Sequence, residues 1–555
     1  MNTDGGNTHS ANTYSGIGVS PGVATGPVAR LGLPPRLPAT TPDAGTDDQD
    51  LATTALEETA AELERRAKLA SAEAAEVLTA AAMMARDPAL AGNIRDLIAQ
   101  GVPAAWAVDR AIAGYRELLA NAGPYLAERV ADLDDVRDRA VAHLLGLPMP
   151  GLPEPGHPYV LVALDLAPAD TAMLDPAVVL AVVTERGGPT SHTAILAKSL
   201  GIPAVVACAG AESLVDGQQV IVDGSNGQVV VDPSEAEVSK VAARRAARAQ
   251  RAASRGPGRT ADGHPVALLA NVGGPADAEA AAALDLEGVG LFRTEFLFLD
   301  RAEAPSVDEQ REVYRRVLEP LAGRKVVVRT LDAGADKPVP YACPDPEDNP
   351  ALGIRGLRTS WRRPELLHDQ LTALALAAAD TGTSPWVMAP MVATAAEAAA
   401  FAATAREHGI AKAGVMIEVP SAALRASAIL AAVDFVSLGT NDLAQYTFAA
   451  DRQLGALAEL LDPWQPALLD LIALTARAGQ AAGKPVGVCG EAASDPLLAV
   501  VLTGLGIESL SMAPISIPDV RAALATRTLA ECQRIAQAVL AAPTPQAAKH
   551  TAQTH

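Results

Sequence analysis

Hydrophobic and polar positions follow several distinct rhythms along the chain. From Gly16 to Leu31, GIGVSPGVATGPVARL sets Val and Ile among Gly and Pro, a pattern of short strand bent around turns. A Pro/Thr/Asp-rich stretch leads to about Asp50, and Leu51 to Leu145 then carries Ala/Leu/Glu/Arg runs. Breaks at Asp87-Pro88, Gly101-Val102-Pro103, Gly123-Pro124 and Gly146 divide those runs into roughly four helices of bundle length. Strand-like runs return at Tyr159–Leu164, Val178–Thr184, Pro203–Ala207, Gln219–Val222 and Gln228–Val231. They resume the style of residues 16–31, so the helical bundle is expected to be inserted into one small α/β unit.

Glu235 to Arg255 predicts one exposed helix, ended by Gly256-Pro257-Gly258. Its basic residues, Lys240 to Arg255, spread around the axis instead of forming one face, which suits a linker. Beyond it come eight buried-strand candidates: Val266–Val272, Gly288–Phe292, Val326–Thr330, Val387–Met391, Val415–Val419, Phe435–Gly439, Val486–Cys489 and Ser509–Ala513. Ala-rich helical stretches separate most of them. Eight such units over about 275 residues match a (β/α)₈ barrel, whereas an open doubly wound sheet predicts no special count of eight.

The length of 555 residues allows three or four domains. A net charge of −21 argues against general affinity for nucleic acid or anionic lipid. The 19 acidic against 10 basic residues between positions 41 and 145 fit a solvated bundle surface. Cys208, Cys343, Cys489 and Cys532 lie far apart without a CxxC, which excludes a disulfide scaffold and disfavours a thiolate zinc site. The start is polar and unlike a signal peptide, and no window holds 18 unbroken apolar residues. A soluble cytoplasmic enzyme is the expectation.

Barrel chemistry collects where strands end. Arg293 follows the second candidate (GVGLFRTEF), Arg329 closes the third (VVVRTLDAGADK), and Glu418 ends the fifth (VMIEVP). Asn441 and Asp442 follow the sixth (SLGTNDL), Arg452 lies in the loop after it, and Cys489 ends the seventh (GVCGE). Singly, each has an ordinary alternative: a terminal Arg is commonly solvated, and a lone Cys is commonly a small core residue. Together on one rim they point to a site. Glu418 and Asp442 are hard oxygen ligands without companion His or Cys, suited to Mg²⁺ or Mn²⁺. Arg293, Arg329 and Arg452 offer fork donors for phosphate and carboxylate, with Lys337 and Arg355 adding charge from longer loops. Metal and several Arg in one pocket call for a small, multiply anionic substrate.

Thr184–Leu200, TERGGPTSHTAILAKSL, runs a strand into Gly187-Gly188-Pro189 and starts a helix near Thr190 or Ser191. Either hydroxyl can cap that start and place His192 in the first turn. A helix N-terminus disfavours imidazolium and favours bound anion, so His192 is a candidate phosphoryl acceptor; the alternative is a polar loop histidine.

At GGPTSHTAILAKSLGIPAVV the chain resembles the phosphohistidine domain of the Enzyme I family, the phosphoenolpyruvate–protein phosphotransferases of the bacterial sugar phosphotransferase system. Further matches at GIGVSPGVATG, GVGLFRTEFLF, VVVRTLDAGADKPVPY, NPALGIRGLR, GVMIEVPSA, FVSLGTNDLAQYT, AADR and VGVCGEAASD extend it from about Gly16 to about Pro543. The resemblance implies a multidomain α/β protein. A swivelling phosphohistidine α/β domain (residues 16–34 and 146–232) carries an inserted helical HPr-binding domain (35–145). A linker helix (233–258) then leads to a phosphoenolpyruvate-binding (β/α)₈ barrel (259–543). It also implies roles. His192 is the phosphorylated histidine, and Arg293, Arg329, Asn441, Asp442 and Arg452 clamp phosphoenolpyruvate. Glu418 and Asp442 hold Mg²⁺, and Cys489 protonates the methylene carbon as pyruvate forms. HPr, a small carrier with its own reactive histidine, is the implied partner, and the barrel is implied to mediate a homodimer. His192 has two destinations, so its domain is expected to swing about residues 232–258.

Two departures stand out: Ala335 replaces a Gly usual in the family's DxGGDK segment, and plain alanines precede Met83-Met84. Pyruvate phosphate dikinase and phosphoenolpyruvate synthase share the histidine and barrel but need a large ATP-binding domain before the histidine. A catalytically silent regulatory scaffold would be marked by loss of His192, Glu418, Asp442 or Cys489, and all four are present.

Overall fold

The structure, a computed structural model, describes residues 13–20, 22–67, 72–121, 130–147, 149–166, 170, 173–188, 191–252, 255–299, 301–334, 339, 341–342, 347–452 and 454–555. The chain forms two compact units, residues 1–245 and 246–555.

The first unit is built on eight strands: β1 (Thr13–Ser15), β2 (Ile17–Ser20), β3 (Val23–Arg30), β4 (Tyr159–Ala163), β5 (Val179–Thr184), β6 (Ala204–Val206), β7 (Gln219–Asp223) and β8 (Gln228–Val231). Their order is β1-β8-β7-β3-β4-β5-β6-β2. The centre, β3 to β6, is parallel, and the flanking pairs are antiparallel. Both faces of β4 are covered, which explains its unbroken apolar run. Tyr159, Leu161 and Ala163 enter one core cluster, while Val160 and Val162 enter the cluster on the other face.

All the bundle helices lie in sequence between β3 and β4, yet these strands are neighbours, with Val28 opposite Val160 and Arg30 opposite Val162. The outgoing and returning chains are clipped together by two hydrogen bonds: Gly32 N–H to Gly151 O (2.9 Å) and Gly151 N–H to Gly32 O (3.0 Å). A side chain at position 32 would place Cβ 2.0 Å from the Met149 carbonyl oxygen, so only Gly allows this approach.

The described bundle helices are Asp48–Ala67, Ala72–Ala85, Pro88–Ala99, Ala104–Asn121 and Val130–Leu145. The run before Asp87, read as one helix, is therefore two. Asp87 caps the next helix by accepting a 2.7 Å hydrogen bond from Ala89 N–H, with Pro88 at the first position where its missing donor costs nothing. Ala60, Leu63, Ala107, Val108, Val136 and Ala140 fill the core. Buried Arg139 crosses it, pairing with Glu62 (2.7 Å) and Asp135 (2.9 Å).

In the second unit, β9 (Ala267–Val272), β10 (Gly288–Arg293), β11 (Lys325–Arg329), β12 (Trp386–Ala389), β13 (Lys412–Ile417), β14 (Phe435–Leu438), β15 (Val486–Val488) and β16 (Ser509–Met512) close a parallel barrel, β16 pairing with β9. Each expected strand is present within a residue or two at most ends. The two-residue period sorts side chains between two environments. Outward Val326, Val328, Val436, Leu438, Val486 and Val488 pack under the helices. Leu291, Val327, Met388, Met416, Phe435 and Cys489 meet inside. The unit continues past Pro543: a final helix, Pro545–Thr554, buries Ala548 and Ala552 in the outer core.

Gly32→Ala should force the clip apart and destabilise the first unit by about 1–3 kcal/mol, the usual penalty of overpacking. Amide hydrogen exchange should quicken in β3 and β4 and stay unchanged in β9–β16.

Candidate active site

Strand period and burial bring most of the expected rim residues to one end of the barrel. Arg329 is the last residue of β11 and is buried. Its guanidinium pairs with Glu295 (3.0 Å) and Asp332 (3.3 Å). Asp332, fully buried, also pairs with Arg355 at 3.2 Å, and Arg355 reaches Asp442 at 3.0 Å. Asp442 meets Arg452 at 3.5 Å. The result is one alternating chain: Glu295, Arg329, Asp332, Arg355, Asp442, Arg452. Desolvation works against the Arg329 charge, but Glu295, Asp332 and Glu418 outweigh it and its pKa is raised. Arg293 ends β10 with its side chain open to solvent at the mouth. The surrounding protein nevertheless strips away enough water that desolvation, with Arg329 close by, lowers its pKa.

Glu418 follows β13 and is 1 % exposed. It accepts a hydrogen bond from Met391 N–H (2.9 Å). Burial, then Asp442 and Asp332, push its carboxyl up to about 8 against the opposing pull of Arg329. A buried carboxylate whose ionisation is opposed by a second one beside it suits a divalent cation, which would relieve that repulsion. The pair is too small for an all-protein metal cage: no cluster of three or more His, Cys, Asp or Glu with ligand geometry occurs among the described residues. Two oxygen ligands fit an ion that takes its other ligands from water and substrate.

Asn441 accepts a hydrogen bond from Glu491 N–H (3.0 Å), tying the first turn of the helix Thr440–Phe448, after β14, to the turn after β15. Cys489 follows β15 and is 3 % exposed. Its N–H donates to Leu438 O at 3.0 Å. Burial pushes the thiol up to about 11; Ser437, Arg329 and Arg293 pull it down and Glu418 adds to the rise. Cys489 is therefore a protonated thiol at neutral pH, able to give a proton and poor as a nucleophile.

In the first unit, Ser191 is the N-cap of the helix His192–Leu200, its side chain accepting from Ala194 N–H at 3.2 Å. His192 is the first helical residue, after a turn with Gly187 at φ +98°. The His192 side chain, Thr190, Ala335 and Lys337 lie outside the described residues.

Three residues escaped the sequence reading. Glu295 and Asp332 sit two and three positions past the strand-ending arginines, and that spacing at a rim was their signal. Ser437, in β14, faces the Cys489 thiol, and only its inward place in the strand marked it. Arg355, read as added charge for substrate, is engaged in this structure by Asp332 and Asp442.

Family models match the chain in order: PEP-utilising enzyme N-terminal domain over residues 15–129, mobile domain over 155–227, and PEP-binding domain over 247–529. A phosphoenolpyruvate-protein phosphotransferase of Streptomyces coelicolor is 58 % identical over 98 % of this chain and 98 % of its own length. The chain belongs to the phosphoenolpyruvate-protein phosphotransferase family. A namesake from Haloferax volcanii is 41 % identical, over 96 % of this chain and 97 % of its own length. A multiphosphoryl transfer protein of Xanthomonas campestris is 41 % identical over 95 % of this chain, which spans 65 % of that longer protein. Family membership brings a requirement for a divalent metal, which the Glu418 and Asp442 pair suits.

Without metal, folding takes up a proton at Glu418 between the ordinary carboxylate range and about 8. Stability of the barrel should therefore fall as pH rises through that window. Scanning calorimetry should show this fall, flattened in Glu418→Gln. Added Mg²⁺ should raise Tm more at the top of the window than below it.

Proposed function

We propose that the protein moves the phosphoryl group of phosphoenolpyruvate to His192, then to a histidine of HPr, and releases pyruvate, as the first step of sugar uptake by the phosphotransferase system. The observation that carries this reading is the alternating charge chain beside Arg293 and Cys489. It offers cationic donors and a protonated thiol at one barrel mouth. Arg293, Arg329 and Arg452 hold the phosphate and carboxylate, and Asn441 and the backbone at Asp442 complete the clamp. Lys337 is assigned to the same site. Arg355 adds its charge to the same clamp and pairs with Asp442.

Glu418 and Asp442 hold Mg²⁺, or Mn²⁺ in its place, which when bound neutralises charge on the substrate oxygens. Phosphoryl transfer through a loose transition state needs positioning and charge neutralisation above all, and the arginines supply both. As the P–O bond breaks, the Cys489 S–H proton goes to the methylene carbon of the enolate, making pyruvate and preventing return. At His192, the first-turn backbone N–H groups and the helix dipole favour the incoming anion.

Two destinations for one imidazole call for movement. The division of the chain between residues 245 and 246, inside the helix Glu235–Ala252, supports a swing about residues 232–258. For HPr, the bundle offers a groove of about 350 Å³ lined by Leu56, Ile94 and Ile98, with Glu57 and Arg86 at its edge. Met83 nearby is 71 % exposed. For a homodimer through the barrel, support comes from the exposed Phe296, Leu352, Trp361 and Leu424, all on segments that follow barrel strands. A cytoplasmic setting agrees with free Cys208, Cys489 and Cys532, and no described helix is long and apolar enough to cross a membrane.

With labelled phosphoenolpyruvate and Mg²⁺, acid-labile, base-stable label should appear on His192 and pass to HPr. His192→Ala should abolish it; Cys489→Ala should slow turnover by about 10²-fold or more while substrate binding stays largely intact. Full turnover in Cys489→Ala would remove the thiol from this role. Met83→Glu should weaken delivery to HPr by about tenfold, as a charge placed in an apolar contact does, and leave labelling of His192 unchanged.

A further inference from the structure

Each pyruvate released leaves the Cys489 sulfur one proton short, and that sulfur is nearly closed to solvent at 3 % exposure. The barrel beneath it is not filled with branched side chains in the usual way. Between Cys489 and the opposite end lies a cavity of about 20 Å³, lined among others by Ser437, Ser509, Ser511 and Lys325. Two glycines make room for the hydroxyls. A Cβ at Gly290 would come within 2.5 Å of Ser511 Oγ, and one at Gly487 within 2.4 Å of Ser509 Oγ. A cavity of that size and polarity suits a single water, which needs about 10–15 Å³ and two or more polar partners. At its upper end Ser437 faces the thiol. Ser511 donates to Asn271 Oδ1 at 2.6 Å, and Asn271 donates to Cys489 O at 3.4 Å, holding the upper wall. At its lower end Lys325, first residue of β11 and half-buried, sets its ammonium 3.9 Å from the centre of the Trp386 ring.

We propose that Lys325, through the serine-lined cavity and Ser437, returns a proton to Cys489 from the base of the barrel after each turnover. The inference rests on Cys489 being the proton donor. The balance is simple. The C–H bond of pyruvate forms as the S–H bond breaks; the thiolate takes a proton from Ser437 Oγ. The cavity water restores that hydroxyl, the Lys325 ammonium restores the water, and the amine recovers its proton from solvent. One proton enters per pyruvate and no electrons change hands. Burial brings the Lys325 ammonium down to about 8, with Glu508 opposing, so it parts with a proton close to neutrality. Glu508 acts on the ammonium and Lys412 lies 6.0 Å from the Trp386 ring; Glu287, Arg324, Asp434 and Lys484 also sit where strands begin at this end.

Rapid-quench measurement of pyruvate, with Mg²⁺ and excess HPr, separates the first turnover from later ones. Lys325→Met removes the proton; Lys325→Arg keeps the charge over Trp386 but holds its proton too tightly to donate. Both should give a full first turnover at the unsubstituted rate, since Cys489 starts protonated, and then a steady state slower by about tenfold or more. A steady state within about twofold of normal in either variant overturns the relay; a normal rate with Arg alone would mean that charge, not the proton, matters. Should a substitution also lower the first turnover, the unsubstituted enzyme decides. Its ratio of steady-state to first-turnover rate should fall as pH rises past about 8, and a constant ratio overturns the proposal. Failure of the donor reading looks different: Cys489→Ala would then keep its first turnover.

Discussion

Buried ions must be paired, and the barrel mouth is organised around that requirement. Glu295, Arg329, Asp332, Arg355, Asp442 and Arg452 alternate in sign at separations of 3.0–3.5 Å, and the middle members are almost wholly enclosed. Removing one leaves its neighbours uncompensated, a cost that commonly reaches several kcal/mol. The reward is preorganisation. Arg329 is fixed before any substrate arrives, and Asp442 is held from two sides, so little reorganisation remains for the reaction itself. Glu418 adds a carboxylate beyond this alternating chain, a surplus that suits a divalent cation.

The same strands serve packing and chemistry by position alone. Along β11, Lys325, Val327 and Arg329 share the inward face, while Val326 and Val328 seal the outer core. Inner positions grow more polar toward the mouth, where Arg329, Glu418 and Cys489 gather, and the middle is left partly open by Gly290 and Gly487. In the first unit the logic differs: β4 is apolar on both faces, and the candidate acceptor His192 opens the helix His192–Leu200 beyond the sheet.

Much of this was legible beforehand. Arg293, Arg329, Glu418 and Cys489 each interrupt or end an apolar run; Arg329, Glu418 and Cys489 are buried there, and Arg293 opens to solvent at the mouth. The eight runs themselves implied the barrel, because continuous apolar strands with helices between them have few other ways to be covered on both faces. Loop residues were harder. Asp332 and Glu295 look like solvated turn residues until the fold shows the arginines they neutralise. The long loop of Arg355 gave no hint of the two carboxylates that meet its guanidinium. Lys325 opens its strand, where a lysine ordinarily reaches solvent, and nothing local reveals the aromatic ring beneath it. The run before Asp87 folds as two helices, Asp48–Ala67 and Ala72–Ala85, although its alanines favour helix throughout.

The paired glycines at 32 and 151 have an architectural consequence. The helical bundle departs past Gly32 and rejoins at Gly151, which pair as an antiparallel bridge, so its two ends stand about one strand spacing, roughly 5 Å, apart. Any foreign module whose termini meet that closely could be spliced in at this neck without disturbing the registry of the host sheet. The helical bundle and the sheet that holds it are in this sense separable parts, free to diversify independently so long as the clasp between them survives.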